Sequence, residues 1–171
     1  MTLCFARSES CRLSGMASAK RLEELVVWQL ACELRDAIEL AVKHGSARQD
    51  FDFKDQILRS SRSTPANIAE GFGHFRPRQF AKYLRIARAS LMETRNHLHK
   101  GDQRYFSSSD AQQMRTLVIR ILSGISRLVR YLDSCPADFD LRTQFEDSDP
   151  SDPPTTPNPK SGTAKKLPGR P

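Results

Sequence analysis

The sequence predicts an all-α protein, an antiparallel up-and-down four-helix bundle between disordered N- and C-terminal tails, on three observations. Apolar residues recur at helical spacing in four successive stretches. Short breaks carrying Gly, Pro, Asp or Ser separate those stretches, and such links join antiparallel neighbours. After Cys135 the composition changes: eight of the ten prolines lie at 136 or beyond, and large apolar residues become sparse. The reading places a bundle at residues 20–134, an extension at 1–19 and a Pro-rich tail at 135–171. The tail cannot bury enough apolar area to offset the entropy of ordering it.

The first helix is expected from about Leu22 to Lys43, with Val27, Leu30, Leu34, Ala37, Ile38 and Ala41 as its apolar face. Leu25 and Trp28 fall off that face, which suggests a second buried surface or, for Trp28, a rim position. His44-Gly45 reads as the stop, with Gly45 suited to a left-handed cap. Asp50 or Asp52 then caps a second helix ending at Gly71 or Gly73.

That second helix is the centre of the chain. Phe53, Ile57, Thr64, Ile68 and Phe72 cluster on one side at about 100° per residue. Gln56, Arg59, Ser63, Asn67 and Glu70 form a polar stripe. Ser60, Ser61, Ala66 and Ala69 leave room for close helix approach. Pro65 lies inside the run, where it removes a donor and predicts a kink near Ser61 at about 3 kcal/mol unless packing offsets it.

Pro77 takes the favoured first position of a third helix. Phe80, Tyr83, Leu84, Ala87, Leu91 and Leu98 are its core stripe, and Gly101 ends it. Arg78, Lys82 and Arg85 stand opposite, flanked by Arg88. Ser109 with Gln112 suggests a capping box for the fourth helix. Met114, Leu117, Val118, Ile121, Leu122, Ile125, Leu128, Val129 and Leu132 give that helix the cleanest stripe of the four.

The run Arg62-Ser63-Thr64-Pro65-Ala66-Asn67-Ile68-Ala69-Glu70-Gly71 resembles the signature of the four-helix-bundle proteins encoded in 23S rRNA intervening sequences. Leu25-Val26-Val27-Trp28-Gln29 resembles that family's first-helix opening, and the stretch from Phe80 to Thr94 resembles its third helix. The accessory variability proteins of diversity-generating retroelements look like relatives. The resemblance covers roughly residues 20–134. It implies a homo-oligomer, a pentameric ring or barrel, and a reverse transcriptase as partner if the gene belongs to a retroelement. Departures from the family pattern cluster at the start of the third helix. Arg76 stands where the family often has a capping Ser, Gln79 where an acid commonly follows, and His74 where Arg is usual. Ala89 occupies a position where the family often has Gly. The lost cap is worth about 1 kcal/mol, and cations now crowd the positive end of a helix dipole, both of which a bound anion would relieve.

Charge points the same way. Between Lys54 and Arg104 stand eleven Lys or Arg against four acids, an excess equal to the chain's whole formal charge of +7. Such a concentrated field suits an anionic partner, although a solvated basic face accounts for it equally. Arg76, Arg78, Lys82, Arg85 and Arg88 are therefore the candidate nucleic-acid-binding residues. The tail is acidic in its first half (Asp138, Asp140, Glu146, Asp147, Asp149, Asp152) and basic at its end. Phe139, Leu141 and Phe145 within it suggest either a docking motif or no more than a solubilising segment.

Catalytic chemistry finds no support. His97 and His99, two apart, point about 200° apart on a helix and cannot share a metal. Cys4, Cys11, Cys32 and Cys135 have neither zinc-site nor disulfide spacing; Cys32 reads as a small core residue. No nucleophile elbow or phosphate loop is framed by the right elements. Arg59, Asn67, Glu70 and Glu93 read as a structural polar motif, with Glu70 buried against Arg59 or a third-helix Arg. No apolar run approaches the roughly 20 residues of a membrane span. Residues 1–19 make a poor secretory signal, and Met16 offers a second candidate start. The expectation is a cytoplasmic, non-enzymatic protein without metal or cofactor. It is read either as an RNA-binding accessory subunit or as a self-assembling scaffold that binds another protein.

Overall fold

The computed structural model describes residues 19–101 and 104–136. Four helices run α1 (Val26–His44), α2 (Phe51–Gly73), α3 (Pro77–Gly101) and α4 (Ser108–Ser134). Each packs on its two neighbours in ring order, α1 closing on α4, and α2 and α3 share the most extensive contact. This is an antiparallel up-and-down four-helix bundle, and no strand occurs among the described residues. The expectations for residues 1–18 and for the tail from 137 onward lie outside the described residues.

Alpha-helical periodicity decides the core. Leu34, Ile38, Ile57, Ile68, Leu84, Leu91, Ile121 and Ile125 are at most 1% exposed, and all occupy the stripes expected of them. Tyr83, Phe53, Phe72, Leu122 and Val129 are half-buried at the margins of the same stripes. Cys32 is half-buried as well, and burial pushes its thiol pKa up. Cys135 is also a free thiol.

Four local expectations need correction. The first helix does not begin at Leu22. Leu22–Glu24 form one 3-10 turn, and Leu25 follows in extended backbone (φ −76°, ψ 102°) before α1 starts. That break swings Leu25 into the core at 2% exposure, so it is spent inside the subunit and offers nothing to a neighbour. Trp28 is half-buried against the core.

Gly45 is not a left-handed cap. Its φ of −90° and ψ of 177° are extended, and its N–H bonds the Ala41 carbonyl. Glycine is needed there for space, since a Cβ would stand 2.7 Å from the Ala41 oxygen and 3.2 Å from the Tyr105 oxygen. The left-handed residue is Phe75 at φ 53°, in the α2–α3 turn. Its strain of about 1–2 kcal/mol is opposed by seating its ring against the core.

The cap of α4 is Ser107 rather than Ser109. Its hydroxyl accepts from the Asp110 amide at 3.1 Å and donates to the Asp110 carboxylate at 2.7 Å. The cap thus joins Ser107 to Asp110, three residues apart, and an acid sits in the first turn as the dipole favours. Asp50 caps α2 as expected, accepting from the Phe53 amide at 3.0 Å. The Tyr105 hydroxyl also donates to Asp50. These bonds, the hydroxyl's first, hold the Asp50 carboxyl below its ordinary pKa, while the same contact raises that of Tyr105.

The fourth correction concerns Glu70, which is exposed and makes no ion pair with Arg59 or any α3 cation among the described residues. Its carboxylate lies near enough to the Tyr83 hydroxyl to raise that group's pKa. Alpha-helix α2 continues unbroken through the buried Pro65. The Ser60 and Ser61 hydroxyls bond back to the Ile57 and Leu58 carbonyls.

Candidate nucleic-acid interface

The outer side of α3 is built by one sequence rule. Residues 78, 82 and 85 are spaced i, i+4 and i+7, so their stems rise from one strip of the helix while Phe80, Leu84, Ala87 and Leu91 turn inward. Arg78, Lys82, Arg85 and Arg88 are all exposed, and Arg76 is exposed just before the helix begins. No acid occurs between residues 76 and 92, and the first turn of α3 carries none. The structure therefore brings Arg78, Lys82, Arg85 and Arg88 onto the outer side of α3, with Arg76 exposed just ahead of its first turn.

Two contacts organise this strip, and sequence reasoning named neither. Arg85 reaches α4, where its guanidinium meets the Asp133 carboxylate at 2.6 Å with both side chains about half exposed (54% and 47%). The antiparallel packing explains it, because the end of α4 must lie beside the start of α3. The imidazole of His74 stacks on the Tyr83 ring at 5.0 Å and 18°. That stack ties the α2–α3 turn to α3, and the nearby Glu70 carboxylate raises the pKa of the Tyr83 hydroxyl. Exposed Arg85–Asp133 contacts of this sort are weak, so an incoming anion can compete for the guanidinium.

The structural polar motif separates into two groups. Asn67 donates to the Ser63 carbonyl at 2.8 Å and to its hydroxyl at 3.0 Å. The Ser63 and Ser90 hydroxyls meet at 2.9 Å, and the Thr94 hydroxyl donates to Ser60 at 3.1 Å. These short side chains form a hydroxyl seam that lets α2 and α3 approach. Glycine 71 serves the same approach, since a Cβ there would lie 2.7 Å from the Tyr83 Cβ. Arg59 and Glu93 stand outside the seam. Both are exposed, and Glu93 meets the buried His97 at 3.7 Å instead of an arginine. The α2 cation that does pair across helices is Arg62, which meets Glu39 on α1 at 2.8 Å.

Among the described residues no group of three His, Cys, Asp or Glu is placed to hold a metal ion. None of their helices is long and apolar enough to cross a membrane.

The family model of the 23S rRNA-intervening sequence proteins matches residues 23–127, from the turn before α1 to the last third of α4. The chain belongs to this family. A comparison with curated proteins gives no match. Within this 23S rRNA-intervening sequence protein, the matched span contains the hydroxyl seam, the α2–α3 turn and the whole basic strip. Asp133, which receives Arg85, lies just beyond it.

Proposed function

We propose that this 23S rRNA-intervening sequence protein is a non-enzymatic, homo-oligomeric accessory subunit that holds single-stranded RNA along the outer face of α3. One observation carries the reading: four exposed cations line the outer side of α3 and a fifth, Arg76, stands just ahead of it, with no acid between residues 76 and 92. Arg76, Arg78, Lys82, Arg85 and Arg88 would track a phosphate backbone, positioning it without reading its sequence. Repeated around a ring of subunits, for which the family resemblance implies five, the strips would form a positive band.

Binding is expected to be tight at low salt and nearly independent of sequence. Each phosphate neutralised contributes about 0.7 to the log–log salt slope on a single strand. Replacing Arg78, Lys82 and Arg85 together by Gln should flatten that slope by roughly 2 per engaged subunit, with helicity unchanged. An unchanged slope would leave the strip as a solvated face.

Absence of RNA binding by the wild-type protein at low salt would favour a self-assembling scaffold. A second observation supports that reading. Ala66 on α2 and Ile86 and Ala89 on α3 are exposed, Ile86 by 41%, so small and aliphatic side chains of both helices lie outside the core. Sedimentation of the Ile86→Glu variant tests it, through loss of the oligomer.

A further inference from the structure

We infer that the acidic segment at 138–152 docks in cis on the basic strip of α3 and competes there with polyanions. The inference rests on the proposed role of that strip and adds its regulation by the chain itself. Three observations support it.

The first is where the described chain ends. The α4 helix finishes at Ser134, one residue beyond the Asp133 that already binds Arg85. The chain therefore leaves the bundle beside the strip, and Asp138 follows Pro136 by only two residues. The second is reach. The strip from Arg76 to Arg88 covers about 18 Å at helical rise. Residues 138–152, drawn out, span up to roughly 50 Å, more than enough to follow it.

The third is charge. Residues 138–152 carry six acids (Asp138, Asp140, Glu146, Asp147, Asp149, Asp152) and one cation, Arg142. The strip carries five cations and no acid. The excesses are equal and opposite, and Asp133 already places a carboxylate from the same side of the chain on Arg85. Because the two charges are joined by a short link, the segment acts at an effective concentration near the millimolar range, whatever the protein concentration.

The test uses the full chain. In one variant all six acids become amides: Asp138, Asp140, Asp147, Asp149 and Asp152 to Asn, and Glu146 to Gln. The changes follow α4 in the chain, and circular dichroism checks that the helicity of the bundle is kept. At low salt, backbone amide resonances of residues 76–88 should shift between wild type and variant, and converge near about 1 M salt, where charges are screened within roughly 3 Å. The variant should bind a labelled single-stranded homopolymer RNA about tenfold more tightly at low salt.

Carbodiimide coupling should join Lys82 to a carboxylate of 138–152 within one chain. In an equimolar mixture of ¹⁵N- and ¹⁴N-labelled protein, crosslinks of mixed isotope would place the segment on a neighbouring subunit and overturn the cis arrangement. Coincident amide resonances at low salt would overturn docking altogether. Shifted resonances with no RNA binding by either protein would uphold the docking and remove the RNA reading instead.

Discussion

Two interfaces of this bundle are built by opposite means. Across α2 and α3 the side chains are short and many are hydroxylated: Ser60, Ser63 and Thr94 bond one another or their own helix, and Gly71 admits Phe80 and Tyr83. Alpha-helices α1 and α4 instead contribute large aliphatic side chains, Leu34, Ile38, Ile121 and Ile125, all at most 1% exposed. The first interface gains stability from proximity, through many contacts and satisfied hydroxyls. The second gains it from apolar area removed from water, about 25 cal/mol per Å². The difference predicts opposite tolerances: the seam should resist added volume, and the aliphatic side should resist its loss.

The largest effect is expected on the aliphatic side. Ile121→Ala should destabilise by about 2–5 kcal/mol in chemical denaturation, because the helices around it cannot collapse fully onto the cavity. A loss under about 1 kcal/mol would show that α4 is loosely seated, and would remove the contrast.

Gly71→Ala probes the seam and should destabilise by about 1–3 kcal/mol, less whatever alanine's better helix propensity returns. Gly73→Ala is its control, because a Cβ there meets nothing within 4 Å and the residue lacks a positive φ. That substitution should stabilise by about 0.4–1 kcal/mol. Equal melting shifts for the two variants would mean that close approach at Gly71 is not what holds α3.

Outside both interfaces, Glu70→Ala should change stability by no more than about 0.5 kcal/mol, as expected of an exposed side chain. A loss near 3 kcal/mol would mean that Glu70 is buried against a cation, as its place in the polar stripe suggested.

That case shows where the sequence was legible and where it was not. Stripes such as Ile57–Thr64–Ile68 and Leu117–Ile121–Ile125–Leu128 declare the core, because burial repeats with the helix. Glu70 shares a stripe with Asn67, yet one turns to the seam and the other to Tyr83 and solvent. The 3.6-residue period cannot separate neighbours at the edge of a face. The basic strip was readable for the same reason that the core was, being its complement on α3. Its partners were not, since Asp133 lies 48 residues from Arg85 and only the antiparallel packing joins them. Leu25 falls off the expected face of the first helix and is still buried, because a single extended residue resets the phase of the wheel. Gly45 and Phe75 misled because turn geometry follows from packing as much as from residue type.

The Phe53 ring ties the two links at its end of the bundle into a single plug. It packs on Tyr105 at 4.6 Å, on Phe106 at 6.1 Å and edge-on to His97 at 6.3 Å. The Ser46 hydroxyl bonds the Arg104 carbonyl across the same gap, and Tyr105 bonds Asp50. At the opposite end only the α2–α3 turn joins helices, and the start of α1 and the end of α4 lie there unlinked by any connection. Local opening in such a molecule is directional, because contacts concentrated at one pole raise the cost of separating helices there. The bundle should therefore breathe from the pole that carries Arg76 and Asp133, hinging on the aromatic plug. The surface offered to a partner would then be the part of the molecule with the lowest cost of rearrangement.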